Sequence, residues 1–123
     1  MQDYTKLGVW QKSYTFCLDV YHVTRSFPKE ELYGMVSQIR RAAVSIPANI
    51  AEGCGRHTDN DLLRFLDIAL GSVAELDTLL RLAHDLDYFA AEDDRPLESR
   101  LLEIKKMLTA LILKIRNEVS HRE

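Results

Sequence analysis

Apolar positions along this chain recur at intervals of three and four, the spacing of helices that each bury one face. From about Leu7 to Ser26, Val9, Trp10, Phe16, Cys17, Val20, Tyr21 and Val23 keep that spacing, which predicts a first helix ended by Phe27-Pro28. Its aromatics, Trp10, Tyr14, Phe16 and Tyr21, sit where packing residues sit and need no base-stacking role. A second helix starts near Pro28 to Glu31, where a proline and two acids suit a first turn, or at Gly34. In it Leu32, Met35, Val36, Ile39, Ala42, Ala43, Ile46 and Ile50 fall within roughly 120° when plotted at about 100° per residue.

The rest of that second helix is unusual. Gln38, Arg41, Ser45, Asn49, Glu52 and Arg56 share an arc of about 80°, while Val44, Ala48 and Ala51 fill much of the remaining surface. A helix with an apolar stripe, a small-residue stripe and a polar seam is expected to be surrounded by other helices. Pro47 costs an ordinary helix interior roughly 3 kcal/mol, yet Ile46 and Ile50 keep the phase of Ile39, so a kinked continuous helix is expected, ended by Gly53-Cys54-Gly55.

Thr58, with Asp59 and Asp61 behind it, caps a third helix whose stripe runs Leu62, Phe65, Leu66, Ala69, Val73, Leu76, Leu79, Leu80, Ala83 and Leu86. A second face of it carries Arg64, Ile68, Gly71, Glu75 and Thr78. Gly71 costs about 1 kcal/mol against alanine there, which a close helix contact would explain. After the acidic turn Ala91-Glu92-Asp93-Asp94, Pro96 opens a fourth helix to about Asn117, with Leu97, Leu101, Ile104, Leu108, Leu111 and Ile115 as its seam. Short connections between long helices predict an all-α, antiparallel up-down-up-down four-helix bundle with a proline-kinked second helix, a single domain over residues 1–123.

Composition agrees: 46% hydrophobic and 28% charged residues, with five glycines and three prolines, suit a folded helical chain. Met1 to Lys12 has no apolar signal segment and no apolar run is long enough for a membrane span, so a cytoplasmic protein without membrane partners is expected. Cys17 and Cys54 stand alone and read as idle thiols. The net charge of −3 is unevenly placed, with seven acids against two bases over 85–103 and five bases against two acids over 104–123. That is not the basic footprint of an autonomous nucleic-acid binder.

Four-helix bundles often house paired metals, and Asp19 with His22, and Glu118 with His121, have carboxylate and imidazole at the required spacing. In an antiparallel bundle they lie at opposite ends, roughly 30 Å apart, and cannot share an ion. Cys54 and His57 form no triad with a third group, and the glycines at 53 and 55 lack the preceding strand and following Lys-Ser/Thr of a phosphate loop. No catalytic residue, metal or cofactor is therefore expected.

The run QIRRAAVSIPANIAEGCGR (38–56), followed by RFLDIALGSVAELDTLL (64–80), closely resembles the four-helix-bundle family of intervening-sequence proteins, also called 23S ribosomal-protein-like. The matching positions are Gln38, Arg41, Ser45, Pro47, Asn49, Ile50, Glu52, Gly53 and Arg56, then Phe65, Ala69, Gly71, Ser72 and Glu75. The resemblance implies a bacterial protein with no established activity. It also implies kinship with the accessory variability protein of diversity-generating retroelements, a basic pentameric barrel that works with a reverse transcriptase and nucleic acid; the acidic balance of the present chain departs from that relative. The resulting expectation is a homo-oligomeric scaffold or adaptor, a pentamer by resemblance, whose partner is protein or an RNA–protein complex. Arg41 and Glu75 are expected to be joined in its seams. The alternative is a direct RNA or DNA binder using Lys6, Lys12, Arg56, His57, Arg64, Lys114 and Arg116, which the topology gathers toward one end, although the nearby Asp59, Asp61 and Glu118 favour plain solvated charges there.

Overall fold

The expected stripes become α1 (Gly8–Thr24), α2 (Met35–Cys54), α3 (Asp59–Asp85) and α4 (Leu97–Arg122), with 3-10 turns at Tyr4–Lys6 and Lys29–Glu31. This is a computed structural model that describes residues 3–90, 93 and 97–122. The proposed acidic turn at Ala91, Glu92 and Asp94 and the Pro96 helix start lie outside the described residues. No described helix is long and apolar enough to cross a membrane.

Side-chain contacts define the topology. Lys12 pairs with Glu103 and Asp19 with Arg100, so α1 and α4 run antiparallel. Ser45 meets Ser72, and Gly53 lies against Leu62 and Phe65, which sets α2 antiparallel to α3. Arg81 pairs with Glu98, and Asp67 with Arg116, doing the same for α3 and α4. Arg40 reaches back to the Thr24 hydroxyl at 3.0 Å, closing α2 on α1. The result is the antiparallel four-helix bundle expected from the repeat of apolar positions.

Its core takes Phe16, Val20 and Val23 from α1, Ile39, Ile46 and Ile50 from α2, Leu66 and Leu76 from α3, and Leu101, Ile104 and Leu108 from α4. Each such side chain contributes roughly 1.5–3 kcal/mol by leaving water. Pro47 is buried inside a continuous α2, so the lost backbone bond is tolerated because the helix faces on both sides of it are packed.

Several expectations shift by a residue or a turn. α2 starts at Met35, after a separate 3-10 turn, because Gly34 takes a non-helical ψ of −107°. Its first amide is met by Glu31 Oε1 at 3.4 Å, and the other oxygen of that carboxylate accepts the Tyr88 hydroxyl at 2.7 Å. This bond, with burial, pushes the Tyr88 hydroxyl above its ordinary value. The ring of Phe27 packs beside Tyr88 and Phe89, completing a clamp between the α1–α2 and α3–α4 connections. Leu32 therefore lies outside the core stripe and is exposed, as is Leu86, which caps α3 instead of continuing it. Asp87, with φ 59°, turns the chain through the left-handed region, and the amide of Tyr88 bonds the Ala83 carbonyl at 3.0 Å. α4 runs past Asn117 to Arg122, held by the Arg122–Asp59 pair, and it buries Ile112 more fully than Leu111.

Two glycines exchange roles. Gly71 has nothing within 4 Å of where a Cβ would stand, so no close helix contact inside the chain explains it. Gly53 does have one: a Cβ there would meet the Leu62 Cδ1 and Phe65 Cβ at 3.0 Å and the Leu62 carbonyl at 3.2 Å. It is a buried packing residue in the last turn of α2, which does end within Gly53-Cys54-Gly55 as expected, at Cys54 with Gly55 as its cap. Nor is α2 surrounded within one chain. It packs on α1, α3 and the two 3-10 turns, while Arg41, Val44, Ala48 and Glu52 are exposed.

Candidate functional site

The polar seam of α2 is real at its middle and open at its ends. Asn49 Nδ2 donates to Ser45 Oγ at 2.9 Å and to the Ser45 carbonyl at 2.8 Å. Ser45 and Ser72 hydroxyls are 2.7 Å apart, and Ser72 reaches the Ile68 carbonyl at 3.2 Å. One set of donors satisfies all four contacts: Asn49 to Ser45, Ser45 to Ser72, and Ser72 to the carbonyl. This relay crosses from α2 to α3 and fixes their register.

Toward the N-terminal end of α2 the expected pairing differs. Arg41 donates to the Ser37 hydroxyl at 3.2 Å and is exposed. Glu75 is exposed on α3, and the two are not joined within the chain. The reason is rotation: with Ser45 and Ser72 in contact, Arg41 and Glu75 stand at matching heights but on the outer sides of their helices. Gln38 is exposed too. At the other end, Glu52 binds Arg56 at 2.5 Å, one turn apart on the helix surface.

Arg56, His57, Arg64, Lys114 and Arg116 lie where α3 begins and α2 and α4 end, whereas Lys12 pairs with Glu103 nearer the start of α4, because α1 begins beside Met107 in the middle of that helix. Arg56 and Arg64 both place their guanidinium carbons 4.6 Å from the centre of the Phe65 ring, a cation–π arrangement built by the α2–α3 turn and α3. Three of the candidate cations are partly neutralised: Lys12 by Glu103 at 2.8 Å, Arg56 by Glu52, and Arg116 by Asp67 at 3.4 Å. Lys6, Arg64 and Lys114 make no ion pair among the described residues, and His57 is exposed in the α2–α3 turn. Sequence reasoning set Asp59, Asp61 and Glu118 beside these cations but not Asp67 and Glu103, the acids that pair with Arg116 and Lys12 from other helices.

The metal-like pairs are separated as the topology requires. Asp19 meets Arg100 at 2.7 Å near the start of α4, and Glu118 lies roughly 27 Å further along that helix. His121 Nδ1 is 2.6 Å from the Asn117 carbonyl. No group of three or more His, Cys, Asp or Glu side chains among the described residues is placed to hold a metal ion. Burial pushes the thiols of Cys17 and Cys54 upward, away from the reactive thiolate.

An open groove of about 680 Å³, missed by the sequence reading, lies along α1 and α2. Tyr21, Leu32, Tyr33, Val36, Arg40 and Val44 are among its walls. Arg40 lies over the Tyr21 ring at 4.7 Å, so one wall is a fixed guanidinium on an aromatic face.

The chain resembles known proteins both by family profile and by structure. The profile of the family described as 23S rRNA-intervening sequence protein matches residues 5–110. The chain is also similar, at 28% identity and a TM-score of 0.76, to a crystal structure of a protein of unknown function from the S23 ribosomal protein family of Bacteroides thetaiotaomicron VPI-5482; the match covers 85% of this chain and 94% of that one. No curated protein matches.

Proposed function

The chain belongs to the 23S rRNA-intervening sequence protein family, and on that premise we propose that it is a non-enzymatic homo-oligomeric scaffold or adaptor of the cytoplasm. The observation that carries this reading is the outer surface of α2 and α3. Val44, Ile68 and Leu82 are between 42% and 46% exposed there, and Gly71 opens onto free space between the last two of them along α3. Large apolar side chains left outside on adjacent helices favour a docking surface over a solvated one. Five copies is the number implied by resemblance to the retroelement accessory protein, and a protein or an RNA–protein complex is the partner such an assembly would carry.

Light scattering coupled to size-exclusion chromatography, on protein without a tag, is expected to give a mass several times 14.2 kDa. Because nothing lies within 4 Å of a Cβ at position 71, Gly71→Leu should keep the helical circular dichroism of the parent. On the assembly reading it lowers the mass by blocking close approach. A clean 14.2 kDa species at micromolar concentration overturns the reading.

A second reading, direct nucleic-acid contact, is favoured by one observation: Arg64 has no ion pair and shares Phe65 with Arg56. Each phosphate neutralised contributes about 0.7–0.9 to the slope of log affinity against log salt, so Lys6, Arg64 and Lys114 together support a slope no steeper than about −3 per chain. Fluorescence anisotropy with structured RNA and duplex DNA checks it. Arg64→Glu and Lys114→Glu should weaken all sequences alike, whereas tight, salt-insensitive binding would rule out phosphate contact as its source.

A further inference from the structure

The outer faces of α2 and α3 carry matching seams. On α2, Ser37, Arg41, Val44, Ala48 and Ala51 are spaced four, three, four and three, inside an arc of roughly 80°. On α3, Ile68, Gly71, Glu75, Thr78 and Leu82 are spaced three, four, three and four, inside an arc of the same width. This is the spacing of helices that pack on one another along a coiled-coil seam, and neither stripe is the one buried in the bundle core. All five α3 residues are exposed, as are Arg41, Val44 and Ala48.

Each seam holds one charge, and the charges are opposite. Among the described residues Arg41 has only the Ser37 hydroxyl as a partner and Glu75 has no ion pair. They are not joined to each other inside the chain, although Ser45 and Ser72 hold their helices in contact one turn away. The apolar groups differ in size in a complementary way as well. The α2 seam is small beyond Val44, with Ala48 and Ala51, while the α3 seam brings Ile68 and Leu82 around an open Gly71. Small residues on one helix facing large ones on another allow axes to approach to about 8 Å.

We infer that α2 of one copy of this chain lies along α3 of the next copy, with Arg41 of the first bonded to Glu75 of the second. The occupant is a second copy because the charge and the shape that complement each seam are found on this chain itself. The inference rests on the oligomeric reading and adds which faces make the contact. Arg41 suits the role because its guanidinium can bind a carboxylate through two parallel hydrogen bonds, which fixes register as well as attraction.

Charge exchange tests it. Arg41→Glu and Glu75→Arg should each raise the dissociation constant of the assembly about 30-fold or more, as expected for losing one member of a desolvated interfacial pair. Their mass by light scattering should fall toward 14.2 kDa. Since both residues are exposed, circular dichroism melting of the separated chains should stay near the parent, which keeps misfolding apart from loss of contact. The variant carrying both changes should recover the parent mass, and an equal mixture of the two single variants should form larger species than either variant alone, since four of the five contacts in a five-membered ring of alternating variants join opposite charges. If the parent assembles and the single variants assemble as well as it does, the inference fails while the oligomeric reading stands. Recovery in the double variant with no gain in mass in the mixture also overturns it, because the pair is then made within one chain; loss without recovery in either overturns the pairing. A parent that is itself 14.2 kDa removes the oligomeric reading and this contact with it.

Discussion

Phe16→Ala is expected to cost about 3–5 kcal/mol, which is a large share of the roughly 5–15 kcal/mol that holds a domain of this kind together. Phe16 is 1% exposed and lies at the centre of α1, which packs on α2 and α4. Truncation removes the ring from the core and leaves a cavity that rigid helices on both sides fill only in part. It also removes the aromatic face under Arg100, whose guanidinium stands 5.2 Å from the ring centre while binding Asp19 at 2.7 Å. That cation–π contact adds about 0.5–1 kcal/mol. Urea denaturation at one fixed protein concentration measures the loss, with Tyr33→Ala as the control. Tyr33 is 93% exposed, so its change should stay within about 0.5 kcal/mol of the parent. Equal effects at the two positions would show that α1 is not seated as described.

The second large effect concerns Gly53, and its sign is opposite to that at Gly71. Gly53→Val is expected to destabilise by about 2–3 kcal/mol, because its Cβ would stand 3.0 Å from the Cβ of Phe65 and 3.2 Å from the backbone carbonyl of Leu62. Neither of those atoms can swing aside, since one is backbone and the other is the root of a side chain, so α2 and α3 must separate. Separation at this point also disturbs the Ser45–Ser72 contact and loosens the seat of Phe65 beneath Arg56 and Arg64. Gly71→Ala is expected to stabilise the chain by up to about 1 kcal/mol, as a helical glycine replaced where the new methyl meets nothing. Thermal and urea unfolding of both variants check the pair of signs. A tolerated Gly53→Val would mean that α2 and α3 stand further apart than their contacts indicate.

These glycines also show where reading the chain as a string of local signals stops. Both have helix-breaking propensity, and the sequence around Gly53 marks the helix end correctly but says nothing of the close packing at Gly53 itself. Which of them meets another helix depends on how α2 and α3 are rotated about their axes, a property of both helices together. For Arg41 and Glu75 the same rotation decides the outcome. Their types and positions mark them as complementary, but only the packed bundle turns them outward on neighbouring helices instead of toward each other. Topology alone gathered the cations toward one end, but Lys12 pairs with Glu103, 13 residues along α4 from Arg116, because α1 begins beside the middle of α4. The electrostatic surroundings of these cations were not legible, since Asp67 and Glu103 reach Arg116 and Lys12 from helices distant in sequence.

What the sequence by itself determined is what has a local period: four helices, the Thr58 cap, the continuity of α2 through Pro47, and the stripes that form the core. A stripe repeats every three to four residues whatever its partner, so it can be read before any partner is known. Only the tertiary structure decided which second face stays outside, which glycine is crowded, and where the apolar groove along Tyr33 and Val44 opens. Those depend on the register and rotation of whole helices, which are set by the simultaneous packing of Phe16, Ile50, Leu66 and Leu108 in one core and leave no periodic mark in any single segment.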